Sequence, residues 1–213
     1  MNFKNTLIFG DSYSTYAGHI PEGYAVYYSG KRATPPDLED VSETWWHRLI
    51  TETGSTLVRN DSWSGSTICY TGYNNTDCSE TSSFICRLRK LTEAGFFRDN
   101  TIDTVLILGA TNDNWAGSPV GELMFEGWEK KDLYSVLPAV CYFLKTLKET
   151  VPTANITFIL NTNFKEVVRR GIEDACSHYD IPTIQLKDID KVNGHPTSLG
   201  MEQIKDQVLA NMQ

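Results

Sequence analysis

Short, almost wholly apolar runs alternate along this chain with stretches whose apolar residues recur every three or four positions. Thr6 to Phe9 is the first run; Thr56 to Arg59, Thr104 to Leu108, Asn155 to Leu160 and Pro182 to Leu186 follow. Runs this short, with little polar alternation, read as strands buried on both faces. Between them, helical spacing predicts a helix over Thr44 to Thr53, with Thr44 as cap and Gly54 as stop. Phe84, Leu88 and Leu91 mark another from about Ser82 to Glu93. Leu133, Val136, Leu137, Val140, Leu144 and Leu147 space a third. Pro138 fits it only if the helix begins near Ser135, which puts proline in the first turn. Asn163 with Glu166 resembles a capping box that opens a helix to about Tyr179. Met201, Ile204, Val208 and Met212 stripe a final helix.

Five strands alternating with helices predict an α/β protein, a parallel sheet covered on both faces and joined by right-handed crossovers. Strand order 2-1-3-4-5 is expected by analogy with other small doubly wound folds. No repeat, linker or low-complexity tract breaks the pattern, so residues 1–213 read as one domain. Two segments are far longer than ordinary connections. Residues 13–43 carry Tyr16, Tyr24, Tyr27, Tyr28 and Pro35-Pro36; residues 114–131 carry Trp115, Phe125 and Trp128. Both leave the carboxyl ends of strands, where open sheets hold their ligand crevice. Their aromatics either shape a substrate pocket or form a satellite core under the loops.

The formal net charge of −8, with no basic stripe, argues against nucleic acid or an anionic membrane as partner. No stretch approaches the ~20 apolar residues of a membrane span. The start, Met-Asn-Phe-Lys-Asn, runs straight into the first strand and leaves no room for a signal peptide. A cytoplasmic protein is therefore expected, with a leader already removed as the open alternative. Cys69, Cys78, Cys86, Cys141 and Cys176 are odd in number and lack CxxC spacing. Reduced thiols, without a disulfide framework, metal site or cofactor, are the expectation.

The chemistry gathers at strand ends. Gly10-Asp11-Ser12-Tyr13-Ser14 follows the first strand, so Ser12 is a candidate nucleophile, although taken alone the segment reads more readily as a capped turn. Asn60 to Thr67 follows the second strand, and Gly65 there can present a bare backbone N–H. Gly109-Ala110-Thr111-Asn112-Asp113 follows the third; the Asn112 amide is either an oxyanion donor or a helix cap. Asn193-Gly194-His195-Pro196 holds a histidine on a constrained loop, a setting that suits a positioned base. Acyl transfer by serine needs these parts together: nucleophile, base and oxyanion donors.

These blocks resemble those of the SGNH hydrolases, also called GDSL esterases and lipases. Gly10 to Ser14 is similar to that family's nucleophile block, Asn60 to Gly65 to its second, Gly109 to Asp113 to its third, and His195-Pro196 to its last. The blocks fall in family order over nearly the whole chain. The resemblance implies a three-layer α/β/α sandwich of flavodoxin-like form and metal-free ester hydrolysis through an acyl-enzyme. Ser12 would attack, His195 would take its proton, and the Ser12 N–H, Gly65 N–H and Asn112 side chain would hold the oxyanion. Tyr13, Trp63 and Trp115 are the candidates for substrate contact.

One departure bears on mechanism. The family usually has an acid three residues before its histidine, and that position here is Val192. Asp190, slightly favoured as the nearer, Asp188, or a backbone carbonyl are the remaining ways to orient the imidazole. An acidic partner would raise the His195 pKa. The aromatic loops suit a short acyl group on a sugar, so a carbohydrate acetyl esterase is expected, with lysophospholipid or thioester substrates as alternatives. A second alternative is a binding protein that kept the pocket and lost turnover. A haloacid-dehalogenase-type site would need an aspartate at position 13, which is Tyr13. A flavin site would set phosphate against Asp11.

Overall fold

The computed structural model of the chain describes residues 4–212. Its centre is a parallel sheet of β1 (Asn5–Gly10), β2 (Thr56–Ser62), β3 (Thr104–Leu108), β4 (Asn155–Leu160) and β5 (Thr183–Gln185). The order is β2-β1-β3-β4-β5, as expected. Alternate side chains of each strand enter different cores. Leu7, Phe9, Val105, Ile107, Phe158 and Leu160 face a core closed by α2 (Phe84–Glu93), α5 (Val136–Thr150) and α6 (Glu166–His178). Ile8, Leu106, Leu108, Ile159 and Ile184 face the other, closed by α1 (Trp45–Thr53) and α7 (Ser198–Asn211). Burial on both faces is why the strands carry no polar alternation.

Helix ends follow local chemistry. The Thr44 hydroxyl accepts from the His47 N–H, and Gly54 closes α1 in the left-handed region. Ser83 caps α2 through the Cys86 N–H. α5 begins at Val136, so Pro138 sits in its first turn. The first two N–H groups of α5 donate to the Pro119 and Val120 carbonyls at 2.8 and 2.9 Å, which docks the second long segment onto the helix end. The capping-box reading at Asn163 is corrected. Asn163 has φ 65°, Lys165 is the cap residue, and no side chain caps α6. Glu166 instead pairs with Arg169 and Arg170 in the first turn.

Register aligns the strand ends that matter. Gly10 lies opposite Ser62 on one side and Leu108 on the other. β2 runs three residues beyond the apolar run, through Asn60, Asp61 and Ser62, all buried. Their polar groups are met inside the fold: Asn60 donates to the Ser14 carbonyl at 2.8 Å, and Asp61 pairs with buried Arg87 at 3.0 Å. Two smaller helices, α3 (Phe96–Asp99) and α4 (Thr111–Ala116), follow α2 and β3. A two-stranded ribbon, β6 (Lys191–Val192) with β7 (His195–Pro196), precedes α7. All five cysteines are buried and free. Among the described residues no helix is long and apolar enough to cross a membrane.

Candidate active site

Ser12 opens a single turn of 3-10 helix directly after β1. Asp11 caps that turn, accepting the Tyr13 N–H at 3.0 Å. Gly10 is required by close approach: a Cβ there would lie 2.4 Å from Ser62 Oγ and 2.6 Å from Ser14 Cβ. The nucleophile block is thus wedged between two neighbouring strand ends. Asp11 is fully buried, and burial pushes its carboxyl up to about 7 against the pull of the Tyr13 N–H.

His195 arrives from the far end of the chain. Asn193 and Gly194, with φ 50° and 79°, form the two-residue turn of the β6–β7 ribbon. Positive φ at both central residues suits a hairpin turn that Asn-Gly favours. The ribbon brings His195 Nε2 to 3.0 Å from Ser12 Oγ. Nδ1 lies 3.2 Å from the Asn193 carbonyl. A carbonyl only accepts, so Nδ1 carries the proton and Nε2 is left to accept from the Ser12 hydroxyl. This is the tautomer a general base needs.

Neither expected acid reaches the imidazole. The Asp190 carboxylate accepts from the Thr197 hydroxyl, and the Asp190 carbonyl accepts from the Thr197 N–H at 3.1 Å. Thr197 in turn caps α7, so Asp190 serves the helix start. Asp188 is exposed, in the left-handed region at φ 50°. Both ring nitrogens of His195 have partners other than a carboxylate. The upward pKa shift that an acidic partner would cause is accordingly not found. Burial pushes the imidazole below its ordinary 6.5, with Arg32 and Lys191 acting in the same direction against the Asn193 carbonyl.

Aromatic residues do the orienting. Tyr13 OH donates to the Gly194 carbonyl, and Tyr28 OH donates to the Pro196 carbonyl at 2.8 Å. These bonds pin the backbone on either side of His195. The Tyr27 ring stacks flat on the imidazole, with centroids 3.6 Å apart and planes 7° from parallel. Trp115, on α4, meets the imidazole edge-on at 5.9 Å. Tyr13 is fully buried, so it backs the site and cannot line it for substrate. Trp115 is 41% exposed beside the site, and Trp63 packs against Tyr24 at 4.2 Å. The two long segments therefore divide. Residues 13–43 supply Tyr13, Tyr27 and Tyr28 to the site. Of the second segment only Trp115 stands there; Phe125 stacks on His178 and Trp128 packs on Tyr142 of α5.

The oxyanion candidates sit on the neighbouring loops. Gly65 follows β2 with φ 80° and open space above it. Asn112 lies in α4, nearly buried, where its Nδ2 donates to the Ser66 carbonyl at 3.0 Å and its Oδ1 accepts from Tyr73 at 2.9 Å. Those two bonds fix the amide and leave Nδ2 one further N–H to give. Among the described residues no cluster of three or more His, Cys, Asp or Glu gathers as for a metal.

The arrangement belongs with a known family. The GDSL-like lipase/acylhydrolase family model matches residues 4–212, and the chain belongs to that family. A GDSL-like lipase of Bacteroides ovatus ATCC 8483 is 42% identical at a TM-score of 0.92, covering 100% of this chain and 99% of its own. One from Bacteroides uniformis ATCC 8492 is 44% identical at 0.90, covering 98% and 95%. An acetyl xylan esterase of the rumen bacterium Butyrivibrio proteoclasticus shares the fold at 14% identity and a TM-score of 0.65, over 98% of this chain and 63% of its own. None of the curated proteins matches the chain.

Proposed function

We propose that this family member is a serine esterase that hydrolyses short acyl esters of carbohydrates through a Ser12–His195 dyad. The observation that carries the reading is the 3.0 Å approach of His195 Nε2 to Ser12 Oγ, with Nδ1 at 3.2 Å from the Asn193 carbonyl. As Oγ attacks the acyl carbon, Nε2 takes its proton. The tetrahedral oxyanion is met by the Ser12 and Gly65 N–H groups and Asn112 Nδ2. Collapse breaks the ester C–O bond, and the imidazolium returns the proton to the departing alcohol. Water then attacks the acyl-enzyme with His195 again as base. The Asn193 carbonyl takes the acid's place as the orienting group, helped by Tyr13, Tyr27 and Tyr28. The exposed Trp115 ring beside the imidazole supports a sugar-facing rim.

The test is stopped-flow release of p-nitrophenol from its acetyl ester, together with a panel of chain lengths and acetylated sugars. A burst that disappears in Ser12→Ala, with acetyl favoured over octanoyl, is expected. Preference for octanoyl sinks the substrate assignment. The absence of a carboxylate on His195 favours one second reading, a binding protein without turnover. No hydrolysis across the panel and no labelling of Ser12 by a fluorophosphonate would decide for it.

A further inference from the structure

Two cations lie near the imidazole, and neither side chain is in an ion pair among the described residues, although the Asp37 carboxylate accepts the Arg32 backbone N–H at 2.6 Å. The Arg32 guanidinium lies 4.0 Å from the Tyr27 centroid, and that ring lies 3.6 Å from the His195 centroid. Guanidinium, phenol and imidazole thus form a three-layer stack at the site. Arg32 Nε donates to the Thr34 carbonyl at 2.9 Å, which aims the group without neutralising it. The second cation is Lys191, whose strand β6 is paired with the strand of His195. Its Nζ lies 5.3 Å from the Tyr13 centroid, and Tyr13 lies 5.5 Å from His195. Nζ donates to Asn161 Oδ1 at 2.7 Å and Thr162 Oγ1 at 2.5 Å, both uncharged. An ammonium has three donors, so one remains.

Among the arginines, Arg32 stands apart. The formal net charge is −8, and Arg48, Arg59, Arg87, Arg89 and Arg169 each pair with an acid. Lys191 is half-buried, and a half-buried cation without a counter-charge is costly to keep, whereas Arg32 stands exposed at the rim, open to a ligand. Asp11 acts on Lys191 through space, but Asp11 is itself buried and reluctant to ionise. The positive charge at the site is therefore only partly balanced from within.

We propose that Arg32 and Lys191 are a substrate-recognition pair, and that the ester this site takes carries a carboxylate, as an O-acylated sugar acid does. The planar guanidinium fork matches a carboxylate in two parallel hydrogen bonds. Lys191 adds a second positive charge beside Tyr13, next to His195. The inference rests on the esterase reading and narrows its substrate class.

The experiment compares kcat/KM for 4-acetoxybenzoate, phenyl acetate and (4-acetoxybenzyl)trimethylammonium, each normalised to its rate of alkaline hydrolysis. At low salt the anionic ester is expected to lead the neutral one by about tenfold and the cationic one to trail. The lead should shrink toward parity at about 0.5 M salt, where charges are screened beyond a few ångströms. It should fall in Arg32→Gln and vanish in Arg32→Gln with Lys191→Gln. Lys145→Gln, the same charge change on α5, should keep it. Turnover of all three esters without order, or a lead that survives the double variant, overturns this inference and leaves the esterase standing. If none of the three turns over, titration calorimetry with 4-hydroxybenzoate decides. Binding lost in Arg32→Gln keeps the anion site while the esterase reading falls; no binding ends both.

Discussion

At His195 the orienting group is a peptide carbonyl, and that choice has a sign. A carboxylate on Nδ1 would stabilise the imidazolium and raise the pKa; here burial, Arg32 and Lys191 lower it below 6.5. The base must be neutral to accept the Ser12 proton, so activity is lost as pH falls through the His195 pKa. The acidic limb of the kcat/KM profile is therefore expected below pH 6.5. Asp190→Asn should leave the limb in place and kcat within about twofold, because this carboxylate is occupied by the Thr197 hydroxyl. A drop of about 10⁴, the usual cost of neutralising a triad acid, would make Asp190 the missing member after all. A limb displaced upward in the wild type would say the same of the charge around the imidazole.

Among elements, the junction of β1, β2 and α2 is held by one side chain. Arg87 of α2 is fully buried, and its Nη1 meets Asp61 of β2 at 3.0 Å. Nη2 reaches the Gly10 carbonyl at 3.2 Å and Ser66 Oγ at 3.3 Å. The guanidinium so ties the strand end before Ser12 to the loop of Gly65. Arg87→Met leaves buried Asp61 with the half-exposed Arg59, at 2.8 Å, as its remaining counter-charge, and a loss of about 3 kcal/mol in urea unfolding is expected. A loss under about 1 kcal/mol would mean that water or Arg59 compensates Asp61. The same junction marks where sequence reading stopped. The apolar core of every strand was legible because parallel strands are buried on both faces. Asn60, Asp61 and Ser62 were not, because buried polar residues look like loop until their partners are known. Val192 pointed to an absent acid, but a backbone carbonyl has no letter. Asn193-Gly194 held the clue: the dipeptide that makes the hairpin turn also supplies the carbonyl to Nδ1. Tyr27 and Tyr28 stood out as aromatics in a long loop, yet nothing local said that they close on a histidine encoded far downstream.

For the molecule as a whole, the site is in tension with stability, and Asp11 is where this is measurable. Its carboxyl titrates at about 7 in the fold against 3.8 as an ordinary side chain. Between those values the folded chain holds a proton that the unfolded chain has released. The contribution of Asp11 to stability is therefore most favourable below about pH 4 and is lost as pH rises through 7. Exposed acids such as Glu80 and Glu166 are shifted the other way by their arginines, so the total profile mixes signs. A difference measurement separates them. Asp11→Asn keeps an oxygen for the Tyr13 N–H and carries no charge. It should gain on the wild type as pH rises, by up to a few kcal/mol at pH 8, read as a growing gap in Tm between pH 5 and pH 8. A gap that does not change with pH would place the cost of Asp11 in packing and not in ionisation. A growing gap accompanied by slower turnover would show that the fold keeps a charge it does not favour because Ser12, one residue on, works better beside it.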